Sequence, residues 1–149
     1  MNSNLKSFCI FIIYVFGAIA CFAFFQFCYP YHLYYQEQNQ LFLASWDYLT
    51  TYLEKPGWLA CMAGDFLTQF YLYHYMGATI LTLCILLAGY NIKYAVRDAG
   101  FKGTWAPNIA AFAVMTLLVC FSLDYEYRLS SILAIAGGAS VFRVSTTIL

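Results

Sequence analysis

Two carboxylates on either side of a proline-glycine turn are the side chains of this sequence best placed to do chemistry. Glu37 stands in Gln36-Glu37-Gln38 and Asp65 in Gly64-Asp65-Phe66, with Lys55-Pro56-Gly57 between them. Both belong to residues 31–75, which hold four of the chain's seven acidic side chains. A carboxylate beside long apolar segments is expensive unless it is solvated, paired or used. Used, it can take a proton from an attacking hydroxyl. Unused, it is a solvated or capping side chain of a surface helix, and both readings stay open for Glu37 and for Asp65. Asp47 and Glu54 read as ordinary wet carboxylates, Glu54 beside Lys55. His32 and His74 flank the stretch among tyrosines, where a polar tip on an apolar body favours an interface; a metal or proton-shuttle role is the sharper alternative.

The elements that must position these residues follow from composition. At 63% hydrophobic, 9% charged and 21% aromatic, the chain is far more apolar than the roughly half-apolar, quarter-charged average of soluble domains. Residues 8–25, FCIFIIYVFGAIACFAFF, form one unbroken apolar run, close to the length that crosses a hydrocarbon core of about 30 Å. The expected fold is therefore an all-α integral membrane protein forming a single membrane domain over 1–149. It has three to four transmembrane helices, at about 7–29, 73–91, 105–123 and 129–149. Pro30 closes the first, because the residue before a proline is pushed out of the helical region. Asn91 and Lys93 are expected to end the second, and Thr104 with Pro107 suits the start of the third. The first segment is too long for a signal-peptide core and no small-residue cleavage site follows it, so it reads as an uncleaved anchor.

The last segment is short of the bilayer if it stops at residue 142, at about 21 Å for 14 residues. To cross, it must continue through Arg143. Gly137 and Gly138, flanked by Ala136, Ala139 and Ser140, make the kind of surface that lets helices approach closely, and the whole reads as the N-terminal part of a larger multi-span fold.

Orientation comes from lysine and arginine in short loops. Lys6 marks the N-terminal side, and Lys93, Arg97 and Lys102 mark the loop before the third span, so both are expected in the cytoplasm. The outer loop, 30–72, carries only Lys55, and DYEYR carries only Arg128. The expected location is a bacterial inner (plasma) membrane, multi-pass, with the N-terminus cytoplasmic. The formal net charge of zero and the absence of a basic stripe exclude nucleic acid as a partner. The lipid bilayer and other membrane helices are the expected partners. Of six cysteines, Cys9, Cys21, Cys84 and Cys120 fall inside apolar segments, and only Cys28 and Cys61 flank the aqueous side. Their spacing does not show the Cα approach of about 4.4–6.8 Å that a disulfide needs. No Cys-x-x-Cys pair or His/Cys cluster offers a zinc site.

Two interfacial helices are expected within the outer loop, divided at Lys55-Pro56-Gly57. The first, over 37–52, would place Glu37, Gln40, Ala44 and Asp47 on one face. The second would carry Asp65, Thr68 and Gln69 as one polar stripe on an apolar cylinder, turned to water or to a partner helix.

Over residues 31–97 the order of features resembles the GT-C-type membrane glycosyltransferases. The likeness rests on Gln36-Glu37-Gln38 after the first span, Lys55-Pro56-Gly57-Trp58, Gly77, and Arg97 inside. Gln36 stands where that family has its first acid and Gly57 where it has a second proline. The resemblance implies an enzyme that takes a sugar from a polyprenyl-phosphate carrier. It carries over Glu37 alone, as catalytic base or contact to a divalent metal; an enzyme of this kind would place Asp65 near the substrate as a second catalytic candidate. The wording EQNQLF with EKPGWLACMAGDFLTQFY also looks like a family of uncharacterised bacterial multi-span membrane proteins, which covers most of the chain and implies no activity. A transferase fragment and a non-catalytic structural or partner-binding membrane subunit are thus the two functional expectations. A transporter fits less well, since only Thr79 and Thr82 bring polarity to depth and no deep acid is present.

Overall fold

The computed structural model describes residues 3–39, 42–43, 45–101 and 103–148. Among these every regular element is a helix. α1 (Ser3–Ala23) runs into a π-helical turn, Phe24–Cys28, and is followed by α2 (Pro30–Asn39), α3 (Trp46–Leu53), α4 (Trp58–Thr68) with a 3₁₀ turn (Gln69–Leu72), α5 (Met76–Asp98), α6 (Trp105–Phe121) and α7 (Leu129–Ile148). Three of these, Leu5–Cys28, Met76–Asp98 and Leu129–Thr146, are long and apolar enough to cross a membrane. α6 is also apolar but shorter, at 17 residues.

α5 is the hub. Ala78, Leu81, Cys84, Ile85 and Ala88 are buried along it, the i, i+3, i+4, i+7 spacing of one helix face, and α7, α6, α1 and the 3₁₀ turn all pack against it. α7 answers with Leu129, Ile132, Ala136 and Ala139, and α6 with Ala111 and Leu118. α1 stays at the periphery. Phe8, Phe11, Phe16 and Ile19 are exposed, and Phe25 is the one of its large side chains that is fully buried. Phe25 lies in the π turn, where the Tyr29 amide donates to Phe24 O at 3.0 Å.

Several sequence expectations are corrected by tertiary packing. Asn91 and Lys93 do not end the second long helix, which continues to Asp98. Asn91 is 7% exposed and its Oδ1 accepts from Arg143 Nη1 at 3.2 Å, so its polarity is satisfied by α7 and the helix has no reason to break. The stop comes at Gly100, with φ +104°. There the Phe101 amide donates to Val96 O and the Gly100 amide to Arg97 O, the pairing of a left-handed glycine cap. α7 runs unbroken through Arg143. Gly137 and Gly138 face open space, whereas the close approaches occur at Gly64, against the Ser130 backbone, and at Gly89, against the Met115 side chain. Cys28 and Cys61 are free thiols, as are the other four cysteines.

The outer-loop segment is three α-helices rather than two. α2 ends at Asn39, Phe42 and Leu43 are not helical, and α3 begins only at Trp46. Ser45 caps α3 by accepting from the Tyr48 amide at 3.4 Å, a local bond that starts a new helix in place of continuing an old one. The division at Lys55-Pro56-Gly57 is present, with Gly57 at φ +71° before Trp58.

Candidate functional site

α2 begins at Pro30, whose ring presets the first helical turn and whose missing donor is not needed there. Its inward face is His32, Leu33 and Gln36, all nearly fully buried. Gln36 Nε2 donates to Tyr127 O at 2.7 Å, which ties α2 to the turn between α6 and α7. Tyr29 Oη reaches Leu123 O of the same turn at 3.5 Å. Glu37, one residue on from Gln36, is half-buried, and no hydrogen bond or ion pair among the described residues engages it. His32 is 1% exposed and lies between the rings of Tyr29 and Tyr125, with centroids 5.3 and 5.0 Å away. Neither of its ring nitrogens has a hydrogen-bond partner among the described residues. Burial holds its pKa below the usual 6.5, with the nearby Asp124 carboxylate opposing. His32 is thus packed as an aromatic ring between two tyrosines. His74 is exposed, its ring edge-on to Tyr75.

Asp65 sits in a different arrangement. Its Oδ2 accepts from Tyr52 Oη at 2.6 Å, and Tyr52 Oη lies 2.9 Å from Tyr48 Oη. Tyr52 is 1% exposed. Burial, and then the hydrogen bond to Asp65, pushes its pKa well above the usual 10, so the phenol stays protonated and keeps donating. The Lys55 ammonium lies over the Tyr52 ring, 4.9 Å from its centroid. Thr68 is fully buried and its Oγ1 donates to Asp65 O, while Gln69 Nε2 donates to Phe42 O at 2.8 Å. The Asp65, Thr68 and Gln69 stripe therefore faces protein, where it joins α4 to α3 and to the segment before it. The large apolar side chains exposed on α4 are Trp58, Leu59 and Phe66.

The single acidic face over 37–47 does not form, because Glu37 and Asp47 lie on separate helices; Gln40 and Ala44 are outside the described residues. No hydrogen bond joins Glu37 to Asp65. Nor does any group of three His, Cys, Asp or Glu side chains, among the described residues, lie close enough to hold a metal ion. Sequence reasoning missed the tyrosine pair, though Tyr48 and Tyr52 stand at i, i+4 in a capped helix. Arg143 Nε is 3.5 Å from Asp98 Oδ2, and its guanidinium lies over the Tyr94 ring at 4.7 Å. Lys102 lies outside the described residues.

At the opposite end of the molecule from the tyrosine network, a cavity of about 690 Å³ is lined by Ser7 of α1, Lys93, Arg97 and Asp98 of α5, and Thr104 and Asn108 at the start of α6. Tyr14 Oη lies 3.4 Å from Asn108 Oδ1, and the Tyr14 ring stacks on Phe112 at 4.4 Å. These contacts hold α1 against α6 beneath the cavity.

Residues 3–149 match the model of a Family of unknown function (DUF6057), and the chain belongs to that family. No curated protein and no solved structure matches it.

Proposed function

We propose that this chain is a multi-pass helical membrane protein of the plasma membrane that serves as a structural or partner-binding subunit. In this reading α1, α5 and α7 cross the bilayer with α6 among them, and residues 30–72 form an outer interfacial platform. The observation that carries it is α1: an 18-residue stretch within Leu5–Cys28 has a mean hydropathy of 2.6, and only 6% of that stretch is buried. So much exposed apolar surface is stable in lipid and not in water. The arrangement of the ends supports the cytoplasmic N-terminus. α2 contacts the turn after α6 through Gln36 and Tyr127, and the N-terminal Ser7 shares a cavity with Lys93, Arg97 and Thr104. Segments assigned to the same side by lysine and arginine thus touch each other. The platform reading rests on Asp65, whose carboxylate is taken up by Tyr52 and holds two helices together. Alkaline carbonate should leave the full chain in the membrane, and reporters fused at Gly103 and at Pro56 should read cytoplasmic and external. Release by carbonate, or an external Gly103, sinks the reading.

One observation favours transfer from a polyprenyl-phosphate sugar as a second reading. Glu37 is a half-buried carboxylate that no described residue engages, on a helix fixed by Gln36. It would take the proton of an acceptor hydroxyl as the oxygen attacks the anomeric carbon and polyprenyl phosphate leaves. Glu37→Gln should then abolish sugar transfer by the purified protein at unchanged stability. Undiminished transfer, or no transfer by the wild type, removes this reading.

A further inference from the structure

α5 carries Leu83, Leu87, Tyr90, Lys93 and Arg97 at steps of three or four residues, which keeps them along one helix face. The lower part of that line is a groove of about 410 Å³, lined by Tyr14 of α1 and by Leu83, Leu86, Leu87, Tyr90 and Lys93. The upper part borders, at Lys93, the polar cavity of about 690 Å³ that is also lined by Arg97. Lys93 belongs to both, and its ammonium lies over the Tyr14 ring, 5.5 Å from the centroid. Asp98 is the acid among the cavity's described lining, and its carboxylate is engaged by Arg143 at 3.5 Å. Lys93 and Arg97 therefore give the cavity a positive character, directly above an apolar channel.

We propose that this crevice binds an anionic phospholipid. The phosphate lies between Lys93 and Arg97, and an acyl chain lies in the groove over Leu87 and Leu83. The inference rests on the membrane reading above. Basic pockets between spans on the cytoplasmic side have the charge to select anionic headgroups. A choline or ethanolamine headgroup brings an ammonium next to two cations, which is unfavourable. A free phosphate satisfies the cavity but leaves the groove unused. Leu83 and Leu87 are 58% and 49% exposed, so the groove is open along its length and an acyl chain can enter from the side.

The test uses the full chain purified in detergent, titrated with phosphatidylglycerol, with phosphatidylethanolamine of the same acyl chains, and with sodium phosphate. Binding is read by native mass spectrometry and by the shift in melting temperature. Phosphatidylglycerol should bind and raise the melting temperature, and the other two should not. The K93Q/R97Q pair should weaken phosphatidylglycerol binding roughly thirtyfold, from about two cation–headgroup contacts, with lipid-free melting close to wild type. Leu87→Trp, which fills open groove, should weaken it as well. Equal binding of phosphatidylethanolamine, an equal response to sodium phosphate, or undiminished binding by the variants overturns the proposal. Carbonate extraction of the same proteins separates the two claims. A chain that stays in the membrane yet shows no preference for phosphatidylglycerol loses the lipid site alone, whereas a chain that is released loses both.

Discussion

Gly64→Ala sets two effects of opposite sign against each other at the joint between the outer segment and the hub. Gly64 is buried in α4, and a Cβ built on it lies 2.6 Å from Ser130 N, 2.7 Å from Ser130 Cα and 2.8 Å from Ser130 Cβ. Non-bonded carbon atoms settle at about 3.5–4.0 Å, so α4 would have to retreat from α7 by roughly 1 Å. In a helix interior, alanine is favoured over glycine by about 1 kcal/mol, which argues for stabilisation. Overpacking costs about 1–3 kcal/mol, and the neighbour here is backbone at the start of a long helix, which cannot rotate aside. The upper part of that range applies, and the net is a loss of about 2 kcal/mol. In a chain of this size that lowers the melting temperature by roughly 4–8 °C. The assay is thermal unfolding of the purified protein in detergent, with Gly137→Ala as the internal reference. Gly137 has nothing within 4 Å of its Cβ position, so that variant should melt at or slightly above wild type. If Gly64→Ala melts with Gly137→Ala, the close packing of α4 on α7 is refuted.

Tyr52→Phe removes the phenol that donates to Asp65 at 2.6 Å and should destabilise by about 1–3 kcal/mol, because the half-buried carboxylate loses its partner. Asp65→Asn should cost a similar amount, and the double variant little more than either alone, in a cycle of melting temperatures; additive losses would show that the pair is not coupled. Stability should also depend on pH through His32, whose folded pKa is depressed by burial. The unfolded chain takes up a proton near pH 6.5 and the folded chain only at lower pH. The His32 contribution is therefore full above about 6.5 and falls as pH drops through that value towards the folded pKa. In melting curves from pH 7.5 to 5, His32→Leu should lose this part of the acid sensitivity; an unchanged pH slope would count against a buried neutral imidazole.

What could be read from the sequence is what depends on the chain locally. The apolar run of α1, the break before Pro30, the turn at Gly57 and the starts of α6 and α7 all follow from residue type and spacing. What could not be read depends on partners far along the chain. Asn91 looked like a helix end because a polar residue in an apolar run ordinarily marks one, and only Arg143, 52 residues away, makes it an interior residue. The stripe of Asp65, Thr68 and Gln69 could turn to water or to a partner helix by its pattern alone, and Tyr52 of α3 and the Phe42 carbonyl decide between the two. Composition does not say which glycine a backbone of the same chain will reach, and here it reaches Gly64.

The partners found within the chain bear on function. Three polar side chains of the outer segment are matched by another group of the same chain: Gln36 by the Tyr127 carbonyl, Asp65 by Tyr52, Gln69 by the Phe42 carbonyl. A side chain already committed to a fixed partner must give up that bond before it can act on a substrate, and doing so in a half-buried site costs about 1–3 kcal/mol. Catalytic groups are usually found with their reactive atom directed at open volume. By that criterion the tyrosine-bound Asp65 is a joint between α3 and α4, and the open polar volume belongs to the other end of α5. There the Lys93 and Arg97 side chains line a cavity rather than fill it. Ligand recognition by this fold is therefore to be sought first at the basic end of α5, and the Glu37→Gln variant of the outer segment is judged by activity.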